Sequence, residues 1–292
     1  MMRRYGQLQQ SFLTQWLTPD WGVTLRQAEI LAELESEFQQ IVVIENPAVG
    51  RAMLLNDVLA LTLQDAFIFH EAMAHLAAVT HPQPQRIVVL GGGDGGVVHE
   101  VLKHPDIHSV DVCELDAAVV AIADEYFAEI HQQSLFDPRV KVHFDDAVWF
   151  VERYTDSADL LLLDMSRPIG YHEPVFDEKF FTHCARIVGD LGVMMMHLGA
   201  FHYIRPRIQE TLKQLRSHFK VIRPILIPMP HYGGYWVMVQ VSQLRDSRRI
   251  TADAAEQRLQ DRGIAQLRFY NGDMHQALLA IPNYLRPAFS GI

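Results

Sequence analysis

The chain has 292 residues, of which 49% are hydrophobic and 21% charged, with a formal net charge of −10 at pH 7. This composition is typical of a folded globular protein that is long enough for one large domain, alone or with a smaller one. The negative charge disfavours a nucleic acid or an anionic membrane as the main partner, because both attract clustered Lys and Arg. A cationic small molecule is the partner that the charge favours.

The cysteines and the chain start predict the compartment. Cys113 and Cys184 lie inside apolar runs, which indicates reduced core residues rather than a disulfide framework. The first ten residues, MMRRYGQLQQ, lack the apolar stretch of a signal peptide, and no apolar run reaches membrane-spanning length. We therefore expect a cytoplasmic protein with no membrane or nucleic-acid partner.

Strand-like and helix-like segments alternate along most of the chain. Residues 39–62 predict short strands, and residues 65–79 have the apolar spacing of a helix. Further strands are predicted at 86–90, 109–115, 140–144, 158–164, 192–198, 220–227 and 235–241. A last helix is predicted at 251–263, with a Thr cap and a Gly stop. The alternation predicts an α/β fold with a doubly wound, mostly parallel sheet.

A glycine-rich turn follows the first strand of this series. The segment IVVLGGGDGGVVHEVLKH, residues 87–104, runs from a strand through five glycines into a helix. Glycines such as Gly91 and Gly93 let the backbone approach a ligand, and the helix start offers free N–H groups. A tight strand–helix connection would explain the glycines as well. Asp94 favours the ligand: its carboxylate would repel a pyrophosphate, which disfavours a dinucleotide and favours a molecule with a positive end.

Acids stand at the ends of the next three strands. Glu114 ends the second strand, where an acid accepts both hydroxyls of a ribose, whereas Asp116 fits better as a helix cap. Asp145 and Asp146 end the third strand, within reach of an adenine amino group, and one of the two could simply cap a helix. Asp164 ends the fourth strand, where it could orient an amine and take its proton; a turn or cap role is the alternative. Together the acids predict an adenosine pocket.

These motifs resemble the spermidine synthase family of polyamine aminopropyltransferases over nearly the whole chain. GGGDGGVVHEVLKHP and CELD resemble the family's donor loop and ribose acid, and FHEAM resembles its Tyr-His-Glu or Tyr-Gln-Glu helix. FQQIVVIEN resembles a strand that supplies a glutamine, here Gln39, and RFYNGDMHQALLAIPNYL resembles the closing segment. The resemblance implies a small N-terminal β domain over residues 1–64. A Rossmann-like, methyltransferase-type catalytic domain over residues 65–292 follows, assembled as a homodimer or homotetramer.

The resemblance also implies a reaction of spermidine biosynthesis, in which an aminopropyl group moves from decarboxylated S-adenosylmethionine to a small-molecule amine and 5′-methylthioadenosine is released. No permanently bound cofactor is implied, and the remaining histidines lack metal-ligand spacing. Asp164 is implied as the catalytic base. Asp94 would bind the donor's ammonium and help exclude ordinary S-adenosylmethionine. By position, the implied donor-binding residues are Gln39, His70, Gly91, Gly93, Asp94, Glu114, Asp146 and Ala147.

The acceptor side departs from the family. The family's loop usually reads Asp-x-x-Asp-Pro-x-Gly-Pro, but residues 164–171 read DMSRPIGY, with Arg167 in place of the second acid. Phe69 replaces a tyrosine and His197 a glutamine, and an apparent one-residue insertion displaces His231 and Tyr232. The implied acceptor-binding residues are Phe69, Arg167, His197, His231 and Tyr232.

Arg167 leaves the acceptor open. Two like charges about 4 Å apart cost on the order of 4 kcal/mol at an effective dielectric constant near 20, so an inward Arg167 would oppose a diamine. It could turn away and pair with Glu173, Asp177 or solvent. It could instead bind a carboxylate on an unusual acceptor such as an amino acid, or pair with Asp164 and leave a weak or silent enzyme. Two other functions remain: an S-adenosylmethionine-dependent methyltransferase, which Asp94 disfavours, and a silent nucleoside-binding protein.

Overall fold

The computed structural model describes residues 12–26, 29–165 and 177–290. Arg167 and Glu173, which the sequence analysis weighs, lie outside these ranges. Within them, no helix is both long enough and apolar enough to cross a membrane.

Two small antiparallel sheets form the N-terminal part. Strands β1 (Phe12–Thr18) and β2 (Trp21–Arg26) pair as a hairpin. A four-stranded sheet follows in chain order: β3 (Glu29–Glu35), β4 (Gln40–Asn46), β5 (Gly50–Leu55) and β6 (Val58–Thr62). The sequence analysis predicts strands over residues 39–62 but misses β1, β2 and β3. The burial pattern of β3 is almost entirely exposed, so it lacks the buried alternation that marks a strand in sequence.

A seven-stranded sheet forms the centre of the molecule. Its strands are β7 (Arg86–Gly91), β8 (Ser109–Glu114), β9 (Val140–Phe144), β10 (Leu160–Asp164), β11 (Val193–Ala200), β12 (Val221–Met229) and β13 (Gly234–Ser242). They lie in the order β12-β13-β11-β10-β7-β8-β9; β13 runs antiparallel to both its neighbours and the other pairs are parallel. This is the strand order of a methyltransferase-type Rossmann sheet.

Helices cover both faces of this sheet. They are α1 (Ala66–Thr80), α2 (Gly96–Leu102), α3 (Ala117–Tyr126), α4 (Ala128–His131), α5 (Ala147–Arg153), α6 (Glu178–Val188), α7 (Phe201–Arg216), α8 (Ala252–Asp261) and α9 (Gly272–Leu278). Strand β10 shows why both faces are covered. Leu160 and Leu162 belong to a core cluster with α1 and α2, while Leu161 and Leu163 belong to another with α6 and α7. Alternate side chains of a strand point to opposite faces, so its unbroken leucine run is buried on both.

The four-stranded sheet is also covered on both faces. Ile41 and Val43 pack against Val119 and Phe127 in and beside α3, which joins this sheet to the large one. On the other face, Ile44 belongs to a separate cluster against which the hairpin packs. The α/β fold with its methyltransferase-type sheet is therefore confirmed, whereas the domain division at residue 64 stays a prediction.

The fold brings the predicted acids to one edge. Strands β7 and β10 are neighbours in the sheet. The chain passes from β7 to β8 on one side and from β10 to β11 on the other, which makes this point a topological switch. Ligands of open α/β sheets bind outside the carboxyl ends of the strands at such a point. The glycine turn after β7 and Asp164 at the end of β10 both lie there, with Gly92 N–H donating to Asp164 O at 3.1 Å.

Candidate active site

A cavity of about 370 Å³ opens at this switch point. It is lined by every predicted site residue that the structure describes: Gln39, Phe69, His70, Gly91, Gly93, Asp94, Glu114, Asp146, Ala147, Asp164, His197, His231 and Tyr232. Arg167 is the one predicted site residue outside the described ranges. The structure thus brings the two predicted sets of residues into one cavity, while their individual roles stay predictions.

The glycines of the turn leave no room for side chains. Gly91 has a φ of +80°, and a Cβ there would lie 2.3 Å from Asp164 O. A Cβ on Gly93 would lie 2.8 Å from Glu114 Oε2, and one on Gly96 would meet the His70 ring at 2.1 Å. Since real Cβ atoms do not approach this closely, the turn requires glycine for close packing against its own acids as well as for positive φ.

Asp94 and His70 form a buried pair in the turn. His70 Nε2 lies 3.5 Å from Asp94 Oδ2, and Gly96 N–H donates to Asp94 Oδ1 at 2.7 Å. Burial opposes ionisation of Asp94, yet His70 and this N–H hold the pKa of Asp94 below its ordinary value. Burial likewise opposes the imidazolium, but Asp94 raises the pKa of His70. The Asp94 carboxylate is therefore negative at neutral pH.

The Asp164 side chain lies in the same charged environment. Burial raises the pKa of Asp164 well above its ordinary value, and the negative Asp94 adds to the effect. Its Oδ2 atom is buried and has no hydrogen-bond partner among the described residues. A carboxyl group with raised proton affinity and a free oxygen is suited to accept a proton from a bound amine.

Backbone donors hold Glu114. Its Oε2 accepts from Gly93 N–H at 3.1 Å and its Oε1 from Asp116 N–H at 3.0 Å. Burial nevertheless raises the pKa of Glu114 above its ordinary value. With Asp94 and Asp164 nearby, this part of the cavity is strongly acidic and suits a cationic ligand.

The neighbouring acids cap helices or pair with other side chains. Asp116 Oδ1 accepts from Ala118 N–H at 2.9 Å, so its predicted role as the cap of α3 is confirmed. Its Oδ2 accepts from Gln39 Nε2 at 3.0 Å, which holds Gln39 against the cavity. Of the pair that ends β9, Asp146 caps α5 through Val148 N–H, while Asp145 pairs with Arg153.

A row of aromatic rings lines the same cavity as the acids. Phe69 meets His197 edge-on at 5.3 Å between ring centroids, and His197 stacks on Trp236 at 5.6 Å. Trp236 stacks on Tyr232 at 4.1 Å, and Tyr232 lies 4.1 Å from His231. We call these five rings the aromatic wall. It offers surface for methylene groups and ring faces for a cation.

Two residues of this region are missed by the sequence analysis. Trp236 lies within a predicted strand, where an indole is readily explained as core. Asp65 precedes α1 at the N-cap position but makes no capping hydrogen bond; it pairs with His231 instead. An Asp before a helix is normally explained by capping. The sequence around Asp65 therefore carries no signal for the second role.

Glu71, on α1, binds the backbone of residues 268–270 in the C-terminal part of the chain. Its buried carboxylate accepts three backbone N–H bonds, from Arg268 at 2.9 Å and from Phe269 and Tyr270 at 2.8 Å. Since Phe69 and His70 are its neighbours on α1, this anchor fixes the helix from which both reach the cavity.

A hydrogen-bond chain connects α1 and α2 with Arg262. Arg262 meets His104 Nδ1 at 3.1 Å, His104 Nε2 meets His75 Nδ1 at 3.0 Å, and His75 Nε2 meets Glu100 Oε2 at 2.8 Å. If each histidine donates from Nε2 and accepts at Nδ1, one set of tautomers satisfies all four groups. We call these four residues the histidine relay.

The fold and the cavity define the class: a methyltransferase-type Rossmann protein with an acidic cavity that suits a cationic ligand. Comparison with known proteins then identifies the family. Residues 66–250 match the family model described as spermine/spermidine synthase domain. The chain belongs to the spermine/spermidine synthase family, which confirms the resemblance seen in the sequence.

Individual relatives agree along nearly the full length. A polyamine aminopropyltransferase of Nitrosomonas europaea is 34% identical over 281 residues, covering 96% of this chain and 86% of the relative. One from Moorella thermoacetica is 32% identical, covering 92% and 93%. A solved spermidine synthase in complex with the transition state analogue AdoDATO has a TM-score of 0.89 at 25% identity, covering 100% of this chain and 99% of that one. The spermidine synthase of Thermotoga maritima, at 24% identity and a TM-score of 0.87, supports the fold.

Proposed function

We propose that this protein transfers the aminopropyl group of decarboxylated S-adenosylmethionine to an amine. The carrying observation is Asp164, a buried carboxylate beside the negative Asp94 at the sheet's switch point, whose Oδ2 has no hydrogen-bond partner among the residues that the structure describes. Polyamine aminopropyltransferases at 30–34% identity and a solved spermidine synthase support the same activity.

The donor would lie along the ends of β7, β8 and β9. Glu114 would accept the ribose hydroxyls, and the segment at Asp146 and Ala147 would face the adenine. Asp94 would bind the donor's ammonium. Ordinary S-adenosylmethionine carries a carboxylate near that ammonium, which Asp94 would repel, so the same residue selects the decarboxylated form.

In the reaction the acceptor nitrogen forms a bond to the propyl carbon next to the sulfonium. The bond from that carbon to sulfur breaks, and its electron pair stays on sulfur as the neutral thioether of 5′-methylthioadenosine. The acceptor nitrogen loses one proton, which Asp164 takes. Alignment of the nitrogen with the carbon–sulfur bond supplies most of the rate, because it removes much of the entropic barrier.

We further infer assembly from two or four copies and a reducing compartment such as the cytoplasm. Ile30, Leu31 and Leu34 are exposed apolar side chains on β3, at the edge of its sheet, which supports a covered interface. The free, buried thiols of Cys113 and Cys184 support the reducing compartment. Light scattering of the purified protein measures the assembly; a monomer at micromolar concentration would contradict it.

The function is tested with purified protein, decarboxylated S-adenosylmethionine and a panel of diamines, polyamines and amino acids. We expect 5′-methylthioadenosine in equal amount to the aminopropylated amine. Parallel reactions with S-adenosylmethionine test for S-adenosylhomocysteine, the product of a methyltransferase. Donor binding by calorimetry without 5′-methylthioadenosine from any acceptor would instead show a silent binding protein.

Arg167 has its own test, the substitution Arg167→Asp. If Arg167 opposes a second ammonium, the variant gains activity with diamines by tenfold or more, since several kcal/mol of repulsion are removed. Unchanged diamine kinetics would show that Arg167 does not exclude them.

A further inference from the structure

Two buried histidines of the histidine relay have no role in the proposed reaction. His75 on α1 and His104 just beyond α2 are both 0% exposed. Arg262 can only donate hydrogen bonds and the Glu100 carboxylate can only accept them, so the direction of the relay is fixed. His104 therefore donates to His75 at 3.0 Å, and His75 donates to Glu100 at 2.8 Å. Both rings must be neutral, because a protonated ring would turn a second donor toward a neighbouring N–H group.

The relay joins α1 to α2 at a second point, beyond the glycine turn. At the first point Gly96 touches His70, where a Cβ would lie 2.1 Å from the ring. About one turn further along α2, Glu100 accepts the hydrogen bond of His75. Lys103 Nζ donates to both oxygens of Glu100 at 2.7 Å, which keeps this carboxylate in place. Apolar contacts are non-directional and let helices slide, whereas a hydrogen bond weakens steeply when its geometry changes.

The first contact point includes the buried pair of the donor side. His70 Nε2 lies 3.5 Å from Asp94 Oδ2, at the outer limit of a hydrogen bond. Asp94 is also tied to the start of α2, since Gly96 N–H donates to its Oδ1 at 2.7 Å. His70 moves with α1 and Asp94 with α2. A slide of one helix along the other by a fraction of an ångström would therefore weaken the contact.

We propose that His75 is a positioning residue of the donor side. Its hydrogen bonds with Glu100 and His104 hold α1 against α2. His70 thereby stays beside Asp94, whose carboxylate keeps its orientation toward the donor's ammonium. His75 itself lies outside the cavity lining, to which His70 and Asp94 belong. The role in donor binding rests on the proposed function, whereas the effect on the contact between His70 and Asp94 does not.

The first measurement is the titration of His70, followed by NMR of the full chain without ligand. Burial opposes the imidazolium of His70, but Asp94 raises its pKa above the ordinary value. Asp164 and Glu100 act in the same direction. His75→Leu breaks the relay without removing a charge. We expect the pKa of His70 to fall by about half a pH unit or more, since the attraction of Asp94 weakens with distance. The signal is identified by its absence in His70→Gln.

The second measurement is calorimetry with decarboxylated S-adenosylmethionine and with 5′-methylthioadenosine, which lacks the ammonium. His75→Leu should weaken binding of the first about tenfold and of the second less than about threefold. His75→Gln keeps a donor and an acceptor and should restore the wild-type preference. Leu76→Ala is the matched control, because it opens a cavity in the same buried stretch of α1 and contributes no side chain to the relay. It should leave the preference unchanged.

An unchanged His70 titration in His75→Leu, equal losses for the two ligands, or a loss in His75→Gln as large as in His75→Leu would overturn the inference. If thermal melting shows that His75→Leu does not fold, His75→Asn replaces it. Its shorter amide reaches the place of Nδ1 but not that of Nε2, so it keeps the His104 contact and loses the Glu100 contact. A wild type that binds neither ligand would reject the proposed function, and the His70 titration would then decide the positioning alone.

Discussion

The two sides of the cavity are built in different ways. On the donor side, Asp94, Glu114 and Asp146 follow three successive parallel strands, and backbone N–H groups of nearby residues hold each carboxylate. On the acceptor side, Phe69 and His231 come from distant parts of the chain and meet through rings of other segments. Local geometry determines the donor side, whereas tertiary packing determines the acceptor side.

This difference predicts which side of the cavity tolerates amino-acid substitution. Replacing Asp94 or Glu114 by an apolar residue would remove the hydrogen bonds that hold it to the backbone of the turn. Rings that pack through surface area can be exchanged while the wall persists. Phe69 and His197, which the sequence analysis predicts to replace a tyrosine and a glutamine of the family, lie on the second kind of surface.

The largest expected effect is at Asp164, where the two sides meet. Asp164→Asn keeps the shape but removes the proton acceptor, so the rate of 5′-methylthioadenosine release should fall about a thousandfold. Donor affinity by calorimetry should change only a few-fold. Asp190→Asn, an exposed substitution, serves as the control. Full activity of Asp164→Asn would assign the proton to another group.

The histidine relay, which does not line the cavity, predicts that the protein loses folding stability in acid. Burial opposes ionisation of Glu100, but His75 and Lys103 lower the pKa of Glu100 from 4.5 to about 2. Burial and nearby positive charge hold the pKa of His104 well below 6.5. In both cases the unfolded chain binds protons more readily. The free energy of unfolding should therefore fall as the pH drops through about 6.5, and again from about 4.5 toward 2.

Glu100→Gln tests this assignment. At pH 7 the variant should be about 3 kcal/mol less stable, and the difference should shrink as the pH falls from 4.5 toward 2. Urea unfolding at pH 7, 5, 4 and 3 measures it. The exposed Glu152→Gln should shift stability by less than about 0.5 kcal/mol throughout. Parallel pH curves for Glu100→Gln and wild type would remove Glu100 from the explanation.

Gly91 tests the tight packing of the donor side. Gly91→Ala places a Cβ against Asp164 O at positive φ, whereas Gly263→Ala, at φ +68°, meets nothing within 4 Å. Both pay the conformational cost of about 1–2 kcal/mol. Gly91→Ala should lose about 2 kcal/mol more through the clash. Denaturant unfolding compares the two; equal losses would mean that the backbone moves aside.

The smallest expected effect concerns donor selection. Asp94→Asn should weaken binding of decarboxylated S-adenosylmethionine about tenfold and narrow its advantage over S-adenosylmethionine. Binding of 5′-methylthioadenosine, which lacks the ammonium, should change little and provides the internal control. If calorimetry shows that Asp94→Asn keeps the full preference for decarboxylated S-adenosylmethionine over S-adenosylmethionine, a residue other than Asp94 selects the donor.

Much of the molecule could be predicted from local patterns. The strands of the large sheet, the glycine turn and the acids at strand ends are encoded by neighbouring residues, and parallel strands carry their ends to one edge. Of the two acids that end β9, the sequence analysis favours Asp146, yet its Oδ1 caps α5. Strand β3 is almost entirely exposed and lacks the buried alternation that marks a strand in sequence.

The sequence by itself determined the large sheet, the acids at its strand ends and the family, because each depends on residues close in the chain or on a fixed strand order. Only the tertiary structure decided that Asp65 pairs with His231 instead of capping α1, and that Trp236 stacks between His197 and Tyr232. The Asp65–His231 pair joins residues 166 positions apart, and His197 and Trp236 lie on different strands of the large sheet. Their partners are chosen by packing in three dimensions, for which no single stretch of sequence carries a pattern.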